Sequence, residues 1–280
     1  MKQKAKEAAL IMSFQDHIAL EQITTGEYSV TIHDKYWIVA GPNGGYLAAL
    51  FANAGNLHLD SPERQLRSLT THFLLPPKLG EAKISVKTVR SGRLIDFLRL
   101  ELIQNDRTLL LATGVWGAAG ESPPKPQLKI PEVPSPDECT PIDKIIEHPI
   151  RLREQWETRS AMGAKLTRDT IGQQRQEAEL SWWIRPVEPT LTGTPLIVAI
   201  SDALPPPIFA MSPQIQFVPT VDLTVHIRAE VSTVDWPSAE WVLVRFATRH
   251  ISHGYLEEDG QIWLQDGTLL GMSRQLSVAK

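Results

Sequence analysis

Asp202 interrupts one of the most apolar stretches of this 280-residue sequence. Leu196, Ile197, Val198, Ala199 and Ile200 precede it and read as an enclosed helix, with Asp202 about two turns in. A carboxylate in such surroundings costs on the order of several kcal/mol unless it is paired or hydrogen-bonded. Val198 and Pro206, four residues to either side, are not basic. Asp202 is therefore either a base or water-orienting acceptor, or a partly solvated residue near the helix end that caps a neighbouring loop. A second candidate feature is Gly44-Gly45, which Asn43 can place at the start of another helix. The unpartnered amides of a first helical turn can stabilise charge developing on a substrate oxygen. Glycines at that point equally suit tight packing of the helix.

Other chemistries are poorly provided for. His72 and His226 recur at matching positions, but no His-Glu-x-x-His pair accompanies them. His33 and Asp34 are adjacent, and neighbouring strand residues face opposite ways. The lone Cys139 excludes an internal disulfide framework and a multi-cysteine zinc site. Gly41-Pro42-Asn43-Gly44-Gly45 lacks the Lys-Ser/Thr of a phosphate loop. Neither a metal nor a cofactor is called for.

The candidate residues belong to a chain that repeats itself. Leu69-Thr70-Thr71-His72-Phe73 returns as Leu223-Thr224-Val225-His226-Ile227, 154 positions later. Asp106-Arg107-Thr108-Leu109-Leu110 returns as Asp266-Gly267-Thr268-Leu269-Leu270, 160 later, and Gly45–Asn53 matches Thr194–Asp202 at 149. These offsets equate Asp202 with Asn53 and Gln275 with Val115, which predicts one active site per chain. Between the copies, seven prolines interrupt helix and sheet alike. The expected division is residues 1–117, a Pro-rich linker over 118–148, and residues 149–280.

Each copy reads as one apolar helix followed by strands. The first helix runs from Gly44 to an end at Gly55; Thr194 and Pro195 start the second, and Pro205-Pro206-Pro207 ends it. Strands are expected over 66–75, 82–90, 95–104 and 109–116, and over 217–227, 241–250, 254–263 and 268–276, with one more before each helix at 27–33 and 180–187. Turn signals fall at Pro76-Pro77, Ser91-Gly92, Asn105-Asp106, Glu258-Asp259-Gly260 and Asp266-Gly267. One short helix wrapped by an antiparallel sheet is the hotdog arrangement. The predicted class is α+β, a double hotdog with two antiparallel sheets each wrapping a central helix.

With Gly44-Gly45-Tyr46, Leu69 to Pro76, Val89-Arg90-Ser91-Gly92-Arg93, Trp183-Ile184-Arg185, Ser201-Asp202, Pro219-Thr220-Val221-Asp222 and Gln275 in this order, the sequence resembles the acyl-CoA thioesterase II family and the wider thioesterase-like superfamily. The resemblance runs from about Tyr36 to Gln275. It implies hydrolysis of acyl-CoA thioesters by a water held by an Asp, a Thr and a Gln, which fall here on Asp202, Thr220 and Gln275. A non-catalytic acyl-CoA-binding protein and a hotdog hydratase or dehydratase are the alternatives on the same fold. Homo-oligomers are also in keeping with the resemblance.

Lys78, Lys83, Lys87, Arg90 and Arg93 could meet the phosphates of coenzyme A or form a solvated face. The balance of 28 basic against 32 acidic residues, without a basic block, argues against nucleic acid or a membrane surface as partner. Ala8–Met12 is too short for a signal-peptide core, and no window has the roughly 18 apolar residues of a membrane span. The cytoplasm is the expected compartment.

Overall fold

A computed structural model of the chain describes residues 12–121, 127–142, 150–162, 177–212, 214–215 and 217–279. Most of the apolar stretch at 8–12, and Pro123, Pro124 and Pro126 of the Pro-rich stretch, lie outside these.

In the first half a short helix α1 (Phe14–His17) leads into β1 (Glu21–Thr24) and β2 (Glu27–Ile32), then α2 (Gly44–Leu59). Four strands follow: β3 (Gln65–Phe73), β4 (Gly80–Ser91), β5 (Ile95–Gln104) and β6 (Arg107–Gly117). The second half begins with β7 (Thr140–Pro141), β8 (Trp156–Ser160) and β9 (Ala178–Pro186), then α3 (Thr194–Ile200) and α4 (Ile208–Met211). It closes with β10 (Thr220–Ile227), β11 (Val242–Thr248), the short β12 (Ile251–Ser252), β13 (Tyr255–Leu264) and β14 (Leu269–Val278).

The strand order is β1-β2-β4-β5-β6-β3 in one half and β10-β14-β13-β11-β9-β8-β7 in the other. In both, the strand before the helix lies far out and the first strand after it lies innermost. The two hotdog sheets meet at β3 and β10 and run on as one antiparallel sheet. That pairing sets Thr70 directly opposite Thr224, its own counterpart in the repeat, with their hydroxyl oxygens 2.9 Å apart. An antiparallel pair of repeats has a single position that faces its own copy. The offset of 154 read from the sequence thus marks the pseudo-twofold axis of the molecule.

The helix α2 is buried from Gly45 to Gly55, as its nearly all-apolar sequence requires. It continues four residues past Gly55 and ends at Asp60, which takes a left-handed conformation with φ of 45°. Gly55 is there for another reason: a Cβ on it would lie 2.0 Å from Trp116 Cζ2. The same indole covers Gly114, where a Cβ would meet Cζ3 at 2.3 Å. Trp116 is fully buried between these two glycines and donates its Nε1–H to Asn56 Oδ1 at 2.8 Å.

Two further expectations are corrected. Glu258-Asp259-Gly260 is not a turn but the middle of β13, where alternate residues Leu256, Glu258, Gly260 and Ile262 all face inward. The turn lies earlier, at His253 and Gly254, both with positive φ. The β13–β14 turn also has one more residue than the β5–β6 turn: Ile103 pairs with Thr108, but Trp263 pairs with Leu269. The counterpart of Gln275 is consequently Gly114, not Val115; Leu223 and Leu69 are their respective neighbours on β10 and β3.

Of the Pro-rich stretch, the part from Ile130 to Cys139 packs on the second half. Ile130 and Val133 lie against Trp183, Trp241 and Trp263, and Trp183 Nε1–H donates to the Pro134 carbonyl at 2.9 Å. Cys139 is buried in the same cluster.

The space around Trp116 gives a stability prediction. Gly55→Ala should destabilise the protein by about 2 kcal/mol or more despite alanine's better helix propensity, because the indole has nowhere to go. Urea denaturation measures this, and a variant as stable as wild type would contradict the packing described.

Candidate active site

The two central helices meet where α2 begins and α3 ends. Thr194 was expected to cap α3, but Gly193 takes that place and the helix stops at Ile200. Asp202 lies in the tightened turn that follows, with its N–H donating to the Ala199 carbonyl at 3.4 Å. Gly44 and Gly45 let α2 come up against this turn. A Cβ on Gly45 would fall 2.5 Å from the Ala199 carbonyl oxygen and 2.9 Å from Asp202 Cβ, and one on Gly44 would fall 2.9 Å from Asp202 Oδ2. The packing role foreseen for these glycines is therefore visible.

The close approach puts the Asp202 carboxylate at the positive end of α2. Its Oδ2 accepts from Gly45 N–H at 2.9 Å and from Asn43 Nδ2 at 2.9 Å. Asn43 also donates to the Asp202 carbonyl at 2.7 Å, while its own Oδ1 caps the helix by accepting from Tyr46 N–H at 3.0 Å. The Gly45 amide, expected to face a substrate oxygen, is thus taken up by Asp202. Oδ1 is less engaged, with one bond at 3.2 Å from Gln275 Nε2. This is the carboxylate oxygen with room to take a proton.

Gln275 on β14 links the remaining groups. Its Oε1 accepts from the Thr220 hydroxyl at 2.8 Å, and its Nε2 donates to Glu258 Oε1 at 2.7 Å as well as to Asp202. The structure therefore brings Asp202, Thr220 and Gln275 into one hydrogen-bonded chain. Glu258 joins them unforeseen, because an acidic run ending in glycine resembles a turn. Its signal was the alternation with Leu256 and Ile262.

Burial pushes the Asp202 carboxyl up to about 6, against the opposing pull of its bonds from Gly45, Gln275, Asn43 and Gly44. Burial, and then the charge of Asp202, hold the Glu258 carboxyl well above the ordinary range. At neutral pH Asp202 is mostly ionised, while Glu258 is held toward its neutral form. Both acids bind protons more tightly folded than unfolded, so the stability they affect falls as pH rises past the ordinary carboxylate range.

The equivalent place in the first half has no such chain. Asn53 stands for Asp202 and donates to the Ile18 carbonyl at 2.8 Å. Leu66, Leu98 and Gly114 stand for Thr220, Glu258 and Gln275, and the Trp116 ring fills the space.

Other candidates remain apart. Asp34 is paired with Arg151, so it does not serve His33. Burial raises the Cys139 thiol above its usual value, which suppresses the nucleophilic thiolate. Lys83 is paired with Glu27 at 2.6 Å, while Lys87 and Arg90 are exposed on β4. Ile208 packs against Ala178 and Leu256, and Phe209 joins that cluster. Among the described residues no group of three or more His, Cys, Asp or Glu could hold a metal ion, and no helix is long and apolar enough to cross a membrane.

Comparison with known proteins places both halves. Residues 33–117 match the acyl-CoA thioesterase N-terminal domain, and residues 136–279 match the acyl-CoA thioesterase C-terminal domain. A thioesterase-like protein of Talaromyces wortmannii, TwmA, is 34% identical over 105 residues, which cover 37% of this chain and 29% of that relative. A protein of unknown function with a hot dog fold from Alicyclobacillus acidocaldarius superposes with a TM-score of 0.84 at 25% identity, covering 95% of this chain and 97% of that one. An acyl-CoA thioesterase II of Mycobacterium marinum shares the fold with a TM-score of 0.73 at 18% identity, covering 96% and 98%.

Asn43 is the residue on which the helix start and the carboxylate both depend. Asn43→Ala should lower unfolding stability by about 2 kcal/mol, through loss of a cap and of a charge-assisted bond. An unchanged urea midpoint would show that the junction does not rely on it.

Proposed function

We propose that this chain, which belongs to the acyl-CoA thioesterase family and is thereby a thioester hydrolase, cleaves acyl-CoA thioesters with a water held by Asp202, Thr220 and Gln275. The observation that carries the reading is the single hydrogen-bonded chain through these three side chains, with Asp202 Oδ1 left underused. A water donating to Oδ1 would take as its second acceptor the Thr220 hydroxyl oxygen, which is bonded to the same Gln275 amide. Its own lone pair is then free to meet a thioester carbonyl carbon.

In the step proposed, the water oxygen bonds to that carbon while its proton passes to Asp202 Oδ1. Collapse of the tetrahedral intermediate breaks the C–S bond, and the proton leaves Asp202 for the departing sulfur. Free acid and thiol result, and Asp202 returns to its ionised form. Thr220 does not serve as nucleophile, since its hydroxyl donates to the Gln275 amide oxygen, which is not a base able to activate it. The Gly45 amide is taken up by Asp202, and the dipole of α2 favours negative charge at this end. Phe73, whose ring a Cβ on Gly44 would meet at 3.0 Å, gives an apolar wall beside the carboxylate. The acyl chain would lie beside α3.

Asp202→Asn should lower kcat for thiol release from acyl-CoA by about a thousandfold with the fold intact, the scale of losing a general base. Wild-type turnover in that variant would remove the assignment, and acyl-CoA binding without any thiol release by the wild-type protein would make it a binding protein instead. The pH profile adds an independent check. Since Asp202 must be ionised and its value is raised to about 6, kcat/KM should fall about tenfold per unit below that pH. A profile flat down to the ordinary aspartate range would contradict the role.

A further inference from the structure

Glu258 is a buried acid for which the proposed hydrolysis has no use. It is only 4% exposed, and no basic side chain among the described residues pairs with it. The charged groups bearing on it are Asp202 and Asp259, and Asp259 is itself held by Arg274 at 2.6 and 2.8 Å. Burying such a group without a charge partner is costly. The fold does not demand it, because the first half sets Leu98 at the same place on β5 and packs it fully.

What Glu258 touches is Gln275, its direct partner across β13 and β14. The bond from Gln275 Nε2 to Glu258 is 2.7 Å, shorter than the 3.2 Å bond to Asp202. Thr220 cannot settle the orientation of this amide, because a hydroxyl donates to an amide oxygen as readily as it accepts from an amide nitrogen. Ionised Asp202 only accepts and so calls for an N–H on its side, and Glu258 Oε1 takes the other N–H of the same nitrogen. Resting on the thioesterase reading, we propose that Glu258 is a positioning residue of the site: it anchors the Gln275 nitrogen by the shorter bond, so that the second N–H meets Asp202 and the amide oxygen stays at Thr220. Glu258 Oε1 accepts the N–H, and burial that favours the neutral form limits the negative charge beside the base.

The test is steady-state thiol release from acyl-CoA by Glu258→Leu and Glu258→Gln, alone and combined with Gln275→Ala, with Asp202→Asn in the same series. Glu258→Leu should lower kcat by about thirtyfold with KM within about twofold, and Glu258→Gln, which keeps an oxygen acceptor, should rescue the rate to within about threefold of wild type. In the Gln275→Ala background, Glu258→Leu should change kcat by less than about twofold, because residues acting through one another do not add. Wild-type kcat in Glu258→Leu, a Glu258→Gln variant as slow as Glu258→Leu, or losses that multiply with Gln275→Ala would each overturn the proposal. If Glu258→Leu does not fold, Glu258→Met takes its place with the same expected loss. Should Asp202→Asn lose activity while Glu258→Leu does not, only the role of Glu258 fails. Should Asp202→Asn turn over like wild type, the hydrolytic reading itself fails.

Discussion

Everything around the site depends on how closely α2 approaches the turn after α3. At Gly45 the two backbones are so near that a methyl group would strike the Ala199 carbonyl. That approach lets the first turn of one half's helix hold the carboxylate of the other half's aspartate. Neither half could build this alone. The amides and the Asn43 cap come from the first repeat, and Asp202, Thr220, Glu258 and Gln275 come from the second.

The same contact sets the electrostatics. A carboxylate at this depth would ordinarily be driven to its neutral form. Donors from Asn43, Gly45 and Gln275 offset enough of the burial cost for Asp202 to ionise near neutral pH, while Glu258, with a single donor, is held well above the ordinary range. Two acids bridged by one amide thus differ in how firmly they hold a proton. The first half shows the arrangement in which the fold is relieved of this burden: leucines, a glycine and the Trp116 ring fill the space, and Asn53 supports a backbone carbonyl.

Much of this was legible in the sequence because duplication leaves a periodic record. The main strand positions and the start of α2 followed from apolar pattern and turn residues, and the 154-residue offset equated Thr70 with Thr224, which the β3–β10 register then sets face to face. Asp202 stood out because a charge inside an apolar run is costly wherever it lies. Features that depend on the third dimension were not legible. Gly55 looks like a helix stop until Trp116 is seen against it. One extra residue in the β13–β14 turn moves Gln275 from the Val115 position to that of Gly114, and a slip of one residue turns a side chain to the other face. Glu258 was hidden by the likeness of an acidic, glycine-ended run to a turn, although its period-two neighbours Leu256 and Ile262 placed it inside.

The central claim is that Asp202, held across the junction of the two halves, titrates near neutrality and is the ionised base. A carboxyl-carbon NMR titration of the protein labelled at aspartate tests it without reference to turnover. The account predicts one aspartate signal that moves with a midpoint near the value of about 6 given by its burial, and that is missing from the Asp202→Asn variant. If every aspartate titrates in the ordinary carboxylate range, or if the shifted signal persists in that variant, the account is contradicted.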